Sequence, residues 1–176
     1  KEMGCYRLWI GSESGSQRVL DLMKRGTQAE DVRAKTRLLQ KAGIQVGMFI
    51  MLGYEGEQLA DLDATTEHLK EANPDVFLTT VAYPIKGTAY YNQVHDRVIA
   101  PAGWDQVSDR DLSVAGRNSR RFYSFATRWM VNSVALHKEW RSTRRPLGLA
   151  KTWANTVVGR AGMLLTQRER EAASQS

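Results

Sequence analysis

Apolar and polar positions alternate along the first half of the chain in short runs that change period from strand to helix and back. Residues 5–11 (CYRLWIG) form an apolar-rich run ending in glycine, as a strand does. A small polar loop, Ser12 to Ser16, follows, and then a short helix with Val19, Leu20 and Met23 on its apolar side. Thr27 and Glu30 have the T-x-x-E spacing of a capping box, which predicts a second helix carrying Val32, Leu38, Leu39 and Ala42. Gly43 ends it as a left-handed cap. Residues 44–52 (IQVGMFIML) are nearly continuous apolar sequence, the pattern of a strand covered on both faces, with Met48, Phe49, Ile50 and Met51 as core. A turn (GYEGE) and a helix over about 58–72 come next, and Asn73-Pro74 stops that helix because the proline ring disfavours helical geometry at the residue before it. Residues 76–82 (VFLTTVA) make a third strand, and Pro84 and Gly87 turn the chain into a short helix with Tyr90 and Tyr91.

Three strand–loop–helix units in succession predict a parallel sheet with right-handed crossovers. Ligands in such folds bind at the carboxyl ends of the strands, so the loops SESGS, GYEGE and YPIKGT are expected together on one rim. Beyond residue 117 the period is helical throughout. Phe122, Phe125, Trp129, Leu136 and Trp140 share one stripe, and Ala150, Trp153, Ala154, Val157, Val158, Ala161 and Leu165 another, with Arg144-Arg145-Pro146 as the break. The domain reading is therefore 1–100 for the βα units, 101–116 as a linker, 117–170 as a helical extension and 171–176 as a frayed end.

At 176 residues, 42% of them hydrophobic and 25% charged, the composition is that of a globular domain and excludes a wholly disordered chain. No apolar run approaches the ~20 residues that span a bilayer. Cys5 is the single cysteine, so neither an internal disulfide nor an all-cysteine metal site can form within the chain, and cytoplasmic residence is the simplest reading. His68, His95 and His137 fall on different elements without ligand spacing. The net charge of +6 is uneven: residues 1–116 carry 13 Lys+Arg against 16 Asp+Glu, whereas residues 117–170 carry 12 against 2. Basic amphipathic helices suit a peripheral membrane contact, or else pack their stripe on the rest of the fold or on another protomer. Nucleic acid ranks last as a partner, since no binding motif accompanies the charge.

The segments GSESGSQRVLDLMKRGT, KAGIQVGMFIMLGYEGE and NPDVFLTTVAYPIKGTAYY resemble, in order and spacing, the later half of the radical S-adenosylmethionine (SAM) core domain, most closely its cobalamin-associated branch of porphyrin cyclases and methyltransferases. The resemblance covers roughly residues 4–92. It implies three βα units of a partial (β/α)6 barrel, followed here by a basic helical extension. It also implies a [4Fe–4S] cluster held by a C-x-x-x-C-x-x-C loop, SAM cleaved reductively to a 5′-deoxyadenosyl radical, and in that branch cobalamin.

This chain has no such loop, so the cluster ligands are expected in an amino-terminal barrel half that these residues lack. The isolated chain is then expected to be inert and to expose a strand edge where that half belongs. By position, Ser12, Glu13 and Ser14 stand where the family contacts the ribose and amino acid part of SAM. Gly53, Gly56 and Glu57 stand in its glycine-rich loop, with Glu55 replacing a usual proline, and Tyr83 and Pro84 stand where adenine packs. Each has a plainer reading: Ser14 and Ser16 as helix caps, Glu13 as a solvated carboxylate, Glu57 as a first-turn helix carboxylate, Tyr83 and Pro84 as a strand-end turn. The function so implied is SAM-driven radical chemistry, oxidative cyclisation or methylation, on a small or hydrophobic substrate. The alternatives are a non-catalytic α/β binding module whose basic helices dock on a membrane or partner, and a different barrel enzyme using Glu13, Glu55 and Glu57 as acid and base.

Overall fold

The computed structural model describes residues 1–100, 108–142 and 146–172. Strands β1 (Arg7–Glu13), β2 (Gln45–Leu52) and β3 (Val76–Val81) form one parallel sheet in the order β1-β2-β3. Helices α1 (Gln17–Leu22) and α2 (Ala29–Lys41) link β1 to β2, and α3 (Leu59–Ala72) links β2 to β3. The sheet does not close into a barrel. After α4 (Ala89–Val94), β4 (Val98–Ile99) pairs antiparallel with β5 (Ser113–Val114), and two long helices follow, α5 (Arg120–Ser142) and α6 (Pro146–Thr166).

Local chemistry explains most boundaries. Ser16 caps α1, and Gln58 and Asp61 form a reciprocal capping box at the start of α3. Asn73, at φ +47°, closes α3 in the left-handed conformation just before Pro74. At α2 the capping box expected from Thr27 and Glu30 does not form: Gln28 is the cap residue, and the Ala29 amide donates to the Gln17 side chain instead. Glu30 pairs with Arg33, a partner one helical turn away that competes for its carboxylate.

Strand β2 is covered on one face only. Val46, Met48, Ile50 and Leu52 are buried against the helices, but Phe49 on the opposite face is 45% exposed, because no element among the described residues lies across that side. Phe49 is therefore not a core residue. Trp9 stacks on it at 4.7 Å, lying flat over Gly47, where a Cβ would come within 2.5 Å of the indole. Leu78 continues the same open apolar face, paired with Phe49 across the ladder.

The carboxyl-terminal helices are built onto this unit. Phe122, Tyr123, Ala126, Trp129, Met130 and Val134 of α5 join Val46, Met48, Ile50 and Leu52 in a single core. The first part of the α5 stripe, through Phe122, Phe125 and Trp129, thus packs on the sheet layer, whereas Trp140 at its far end is 80% exposed. The stretch read as a linker is structured in its described part, since β5 pairs with β4. Residues 101–107 of that linker, Arg144 and Arg145 of the helix break, and 173–176 of the predicted frayed end lie outside the described residues. Glu171, the first residue of that end, is tied to Arg117 through its backbone amide at 2.8 Å.

Candidate functional site

The carboxyl ends of β1, β2 and β3 converge, and specific side chains lock their loops together. Asp61, in the first turn of α3, is the junction between the first two loops. Its carboxylate accepts from the Ser16 hydroxyl at 2.6 Å, the Arg18 guanidinium and the Gln58 amide at 2.7 Å. Arg18 also donates to the carbonyl of Gly56 at 2.8 Å, joining α1 to the second loop. Burial alone would raise the Asp61 carboxyl, but the bonds from Arg18, Ser16 and Gln58 outweigh it and hold the group below its ordinary range. The second loop meets the helix that follows the third loop, α4, through Tyr54, stacked on Tyr90 at 4.9 Å.

The predicted site residues divide into those that face the helices and those that line cavities. Strand β1 runs on to Glu13, so Ser12 and Glu13 end a strand rather than sit in a loop. Ser12 and Ser14 are both buried and turn into the helix layer: the Ser12 hydroxyl lies 3.0 Å from His68 Nε2, and the Ser14 hydroxyl 3.0 Å from that of Thr65. Gly15 makes this seating possible, since a Cβ there would come within 2.3 Å of the His68 side chain. Both hydroxyls are thereby committed to α3 and point away from the rim. Glu13 instead adopts a left-handed φ of +60° and pairs with Arg25 at 3.6 Å. The positive φ marks a strained strand end, the kind of position at which loops beside ligand sites store strain.

Gly53, Gly56 and Glu57 line a polar cavity of about 170 Å³ that Arg97, Arg117 and Tyr123 also border. The Gly53 amide donates to Glu57 Oε2 at 2.6 Å, while the other oxygen, Oε1, is buried with no hydrogen-bond partner. Burial pushes the Glu57 carboxyl up to about 8, against the Gly53 bond and with Asp61 adding to the rise. Near neutral pH it is therefore a protonated carboxyl with one unused oxygen in the cavity wall. Tyr83 lines an adjoining cavity of about 440 Å³ between β3, β5 and α5, and Pro84 is buried beside it. Arg117 and Tyr123 border both cavities, and the Arg117 guanidinium donates to the carbonyl of Ala82 at the end of β3.

Sequence reasoning missed Arg18, Asp61, Arg117 and Tyr123. Asp61 alone carried a signal, the Q-x-x-D spacing of a capping box at Gln58. The chain offers no donor set for an iron–sulfur cluster: Cys5 is half-buried near the start of β1, and no group of three His, Cys, Asp or Glu side chains suited to a metal occurs among the described residues.

No family model matches the sequence. Curated relatives do. The chain is 28% identical over 158 residues to a tRNA-2-methylthio-N(6)-dimethylallyladenosine synthase of Serratia proteamaculans, which covers 88% of this chain and 32% of that protein. It is 26% identical over 113 residues to an uncharacterized methyltransferase of Pyrococcus horikoshii, covering 63% of this chain and 24% of that one. A synthase of the first kind from Chlorobium phaeobacteroides is 38% identical over 73 residues, 40% of this chain and 16% of its own length.

The similarity supports the radical SAM superfamily, and not its cobalamin-associated branch. The chain is thus homologous to enzymes, and it spans less than a third of the length of each of these three relatives. No helix among the described residues is long and apolar enough to cross a membrane.

Proposed function

We propose that this chain forms the distal βα units of a radical SAM enzyme of methyl or methylthio transfer, with its rim loops against SAM and its open sheet face toward the reaction chamber. One observation carries the reading: the three strand-end loops that resemble the SAM-binding loops, each with the helix that follows it, are joined in turn through Arg18–Asp61, Arg18–Gly56 and Tyr54–Tyr90 on the rim where parallel α/β sheets bind ligands. The names of the relatives favour group transfer over oxidative cyclisation. Cobalamin is not part of the reading.

Within that site the chain's own groups have definite capacities. Glu57 offers an unpartnered oxygen in the wall of the cavity beside Gly53, able to hydrogen-bond a polar group of the ligand. Glu13 supplies a carboxylate at the end of β1, suited to an ammonium or a ribose diol. Gly53 and Gly56 let the second loop close against Tyr123 and Leu22, which sets the cavity wall rather than a direct backbone approach to a cofactor. Tyr83, which lines the larger cavity, offers a face for a flat ring, while Pro84 is buried and only shapes the strand end. Ser12 and Ser14 position Glu13 by fixing the end of β1 to α3 rather than by touching the ligand.

SAM bound at a reduced [4Fe–4S] cluster supplies a 5′-deoxyadenosyl radical in this superfamily. The cluster cannot be ligated by the cysteine content of this chain, so its ligands come from a cluster-bearing barrel half that packs along the open sheet. The apolar Trp9, Phe49 and Leu78 face suits a chamber closed by such a half and a substrate with apolar surface.

The test is anaerobic reconstitution of the full-length protein with iron and sulfide, followed by assay for 5′-deoxyadenosine. Production of 5′-deoxyadenosine, together with weaker SAM binding in Glu57→Ala, is the expected result. A full-length protein that neither assembles a cluster nor binds SAM overturns the reading.

A further inference from the structure

The two carboxyl-terminal helices meet along a seam of small residues. Gly159 and Gly162 of α6 press on α5 so closely that a Cβ would lie 2.6 Å from the backbone of Trp129 and 2.3 Å from the ring of Phe125. Arg160 closes the same seam, with its guanidinium 4.7 Å from the centre of the Trp129 ring and two bonds to Asp63 of α3 at 2.6 and 3.1 Å. Met163 and Thr166 are buried on that side too. The inner face of α6 is therefore fully determined.

Its outer face is apolar and bare. Trp153 is 59% exposed and Leu165 83% exposed, with Val157, Val158 and Leu164 also open between them. Alanines 154 and 161 fill the remaining outward positions, so the stripe follows helical spacing over four turns without a charged residue. At 21 residues the helix is about 32 Å long. No acidic residue occurs anywhere in it, and an exposed cation stands toward either end: Lys151 in its second turn and Arg168 just past Thr166. Residues 117–170 together carry a net charge of +10.

We infer that α6 is a membrane-surface helix, seated by its Trp153–Leu165 stripe on an anionic lipid bilayer. An apolar stripe bracketed by cations is the pattern of a helix lying in the interfacial plane, where the stripe enters the acyl boundary and the flanking cations meet lipid headgroups. A second copy laid on this face would bring like charges together, whereas anionic headgroups neutralise the exposed Lys151 and Arg168 beside the stripe. RNA would use the cations but leave the aliphatic stripe in water. The helix is not apolar enough to span, so it lies on the surface. Neither the stripe from Trp153 to Leu165 nor the cations Lys151 and Arg168 line the rim cavities, so this inference is independent of the SAM reading.

The experiment is flotation of the full-length protein with vesicles of mixed phosphatidylglycerol and phosphatidylcholine, against vesicles of phosphatidylcholine alone. The expected partition into anionic vesicles is roughly tenfold or more above neutral ones, falling as salt is raised. Leu165→Glu and Val157→Glu, both at exposed positions, are expected to abolish flotation while leaving the melting temperature and SAM binding unchanged. A folded protein that stays with the soluble fraction in anionic vesicles overturns the inference. So does flotation that survives both substitutions, or a dimer that both substitutions dissociate without any vesicle binding.

Discussion

The hydroxyl of Ser12, at the end of β1, lies 3.0 Å from Nε2 of His68 in the middle of α3, and both side chains are buried. Burial, with the Arg33 guanidinium adding to it, pushes the His68 imidazole from its usual 6.5 down to about 4, against a smaller pull from Glu30. The folded chain therefore keeps His68 neutral where the unfolded chain protonates it. Stability from this residue is complete above pH 6.5 and falls as pH drops toward 4, by about 3 kcal/mol across the window. Urea unfolding at pH 7 and pH 4.5 should show that loss in the wild type and a flatter profile in His68→Gln. Ser12→Ala should cost about 1–3 kcal/mol at pH 7, because it orphans a buried imidazole nitrogen.

Glu57 gives the opposite slope. The unfolded carboxyl ionises near 4.5 and the folded one near 8, so between these values the folded chain holds a proton that the unfolded chain has released. Its stability is complete below pH 4.5 and is lost as pH rises through 8, by up to about 5 kcal/mol. Glu57→Gln keeps an oxygen for the Gly53 amide and removes the titration. The variant should match the wild type at pH 5 and exceed its melting temperature at pH 8.5; equal melting temperatures at both pH values would refute the burial of this carboxyl.

Asp61 joins the first two rim loops, and its loss should be felt in both. Asp61→Ala leaves the Gln58 amide without its acceptor, leaves the Arg18 guanidinium with only the Gly56 carbonyl, and removes the capping box of α3. A destabilisation of about 3 kcal/mol is expected in chemical unfolding. Hydrogen exchange should quicken at Gln58 and across α1 together; faster exchange confined to α3 would show that the loops are not coupled through this residue.

Gly53 combines a left-handed φ of +75° with close approach to a neighbour, since a Cβ there would lie 2.7 Å from the Tyr123 ring. Gly53→Ala should destabilise by more than the roughly 1–2 kcal/mol of the backbone strain alone. In a Tyr123→Ala background the same change should cost only that strain, and the difference reads the contact between the second loop and α5. A cycle that closes with no coupling would mean that α5 does not rest on this loop.

Much of the chain's architecture was legible from period and punctuation. The apolar run at 44–52 and the β-branched run at 76–82 appear as β2 and β3 within a residue of their expected limits, and Asn73-Pro74 stops α3 as its ring chemistry requires. The three loops do share one rim, because parallel βα units leave every strand end on the same side. Less legible was what each side chain touches. SESGS reads as a polar loop, yet Ser12, Ser14 and Ser16 bond to His68, Thr65 and Asp61, residues 45 to 56 positions away that carry no local signal of the contact.

Two stripes of the same period met different fates for the same reason. Phe122, Trp129 and their neighbours on α5 are buried by the sheet layer, while Trp153, Val157 and Leu165 on α6 remain bare because α6 docks through Gly159 and Gly162 on its other side. By itself the sequence determined the order of the main strands and helices and where Asn73-Pro74 stops α3, since backbone sterics and capping act within a few residues, though not the end of β1 or the β4–β5 pair. Only the tertiary structure decided which face is covered, which carboxylate is buried and which hydroxyls remain for a ligand, because burial is set by neighbours that the chain brings together from far apart.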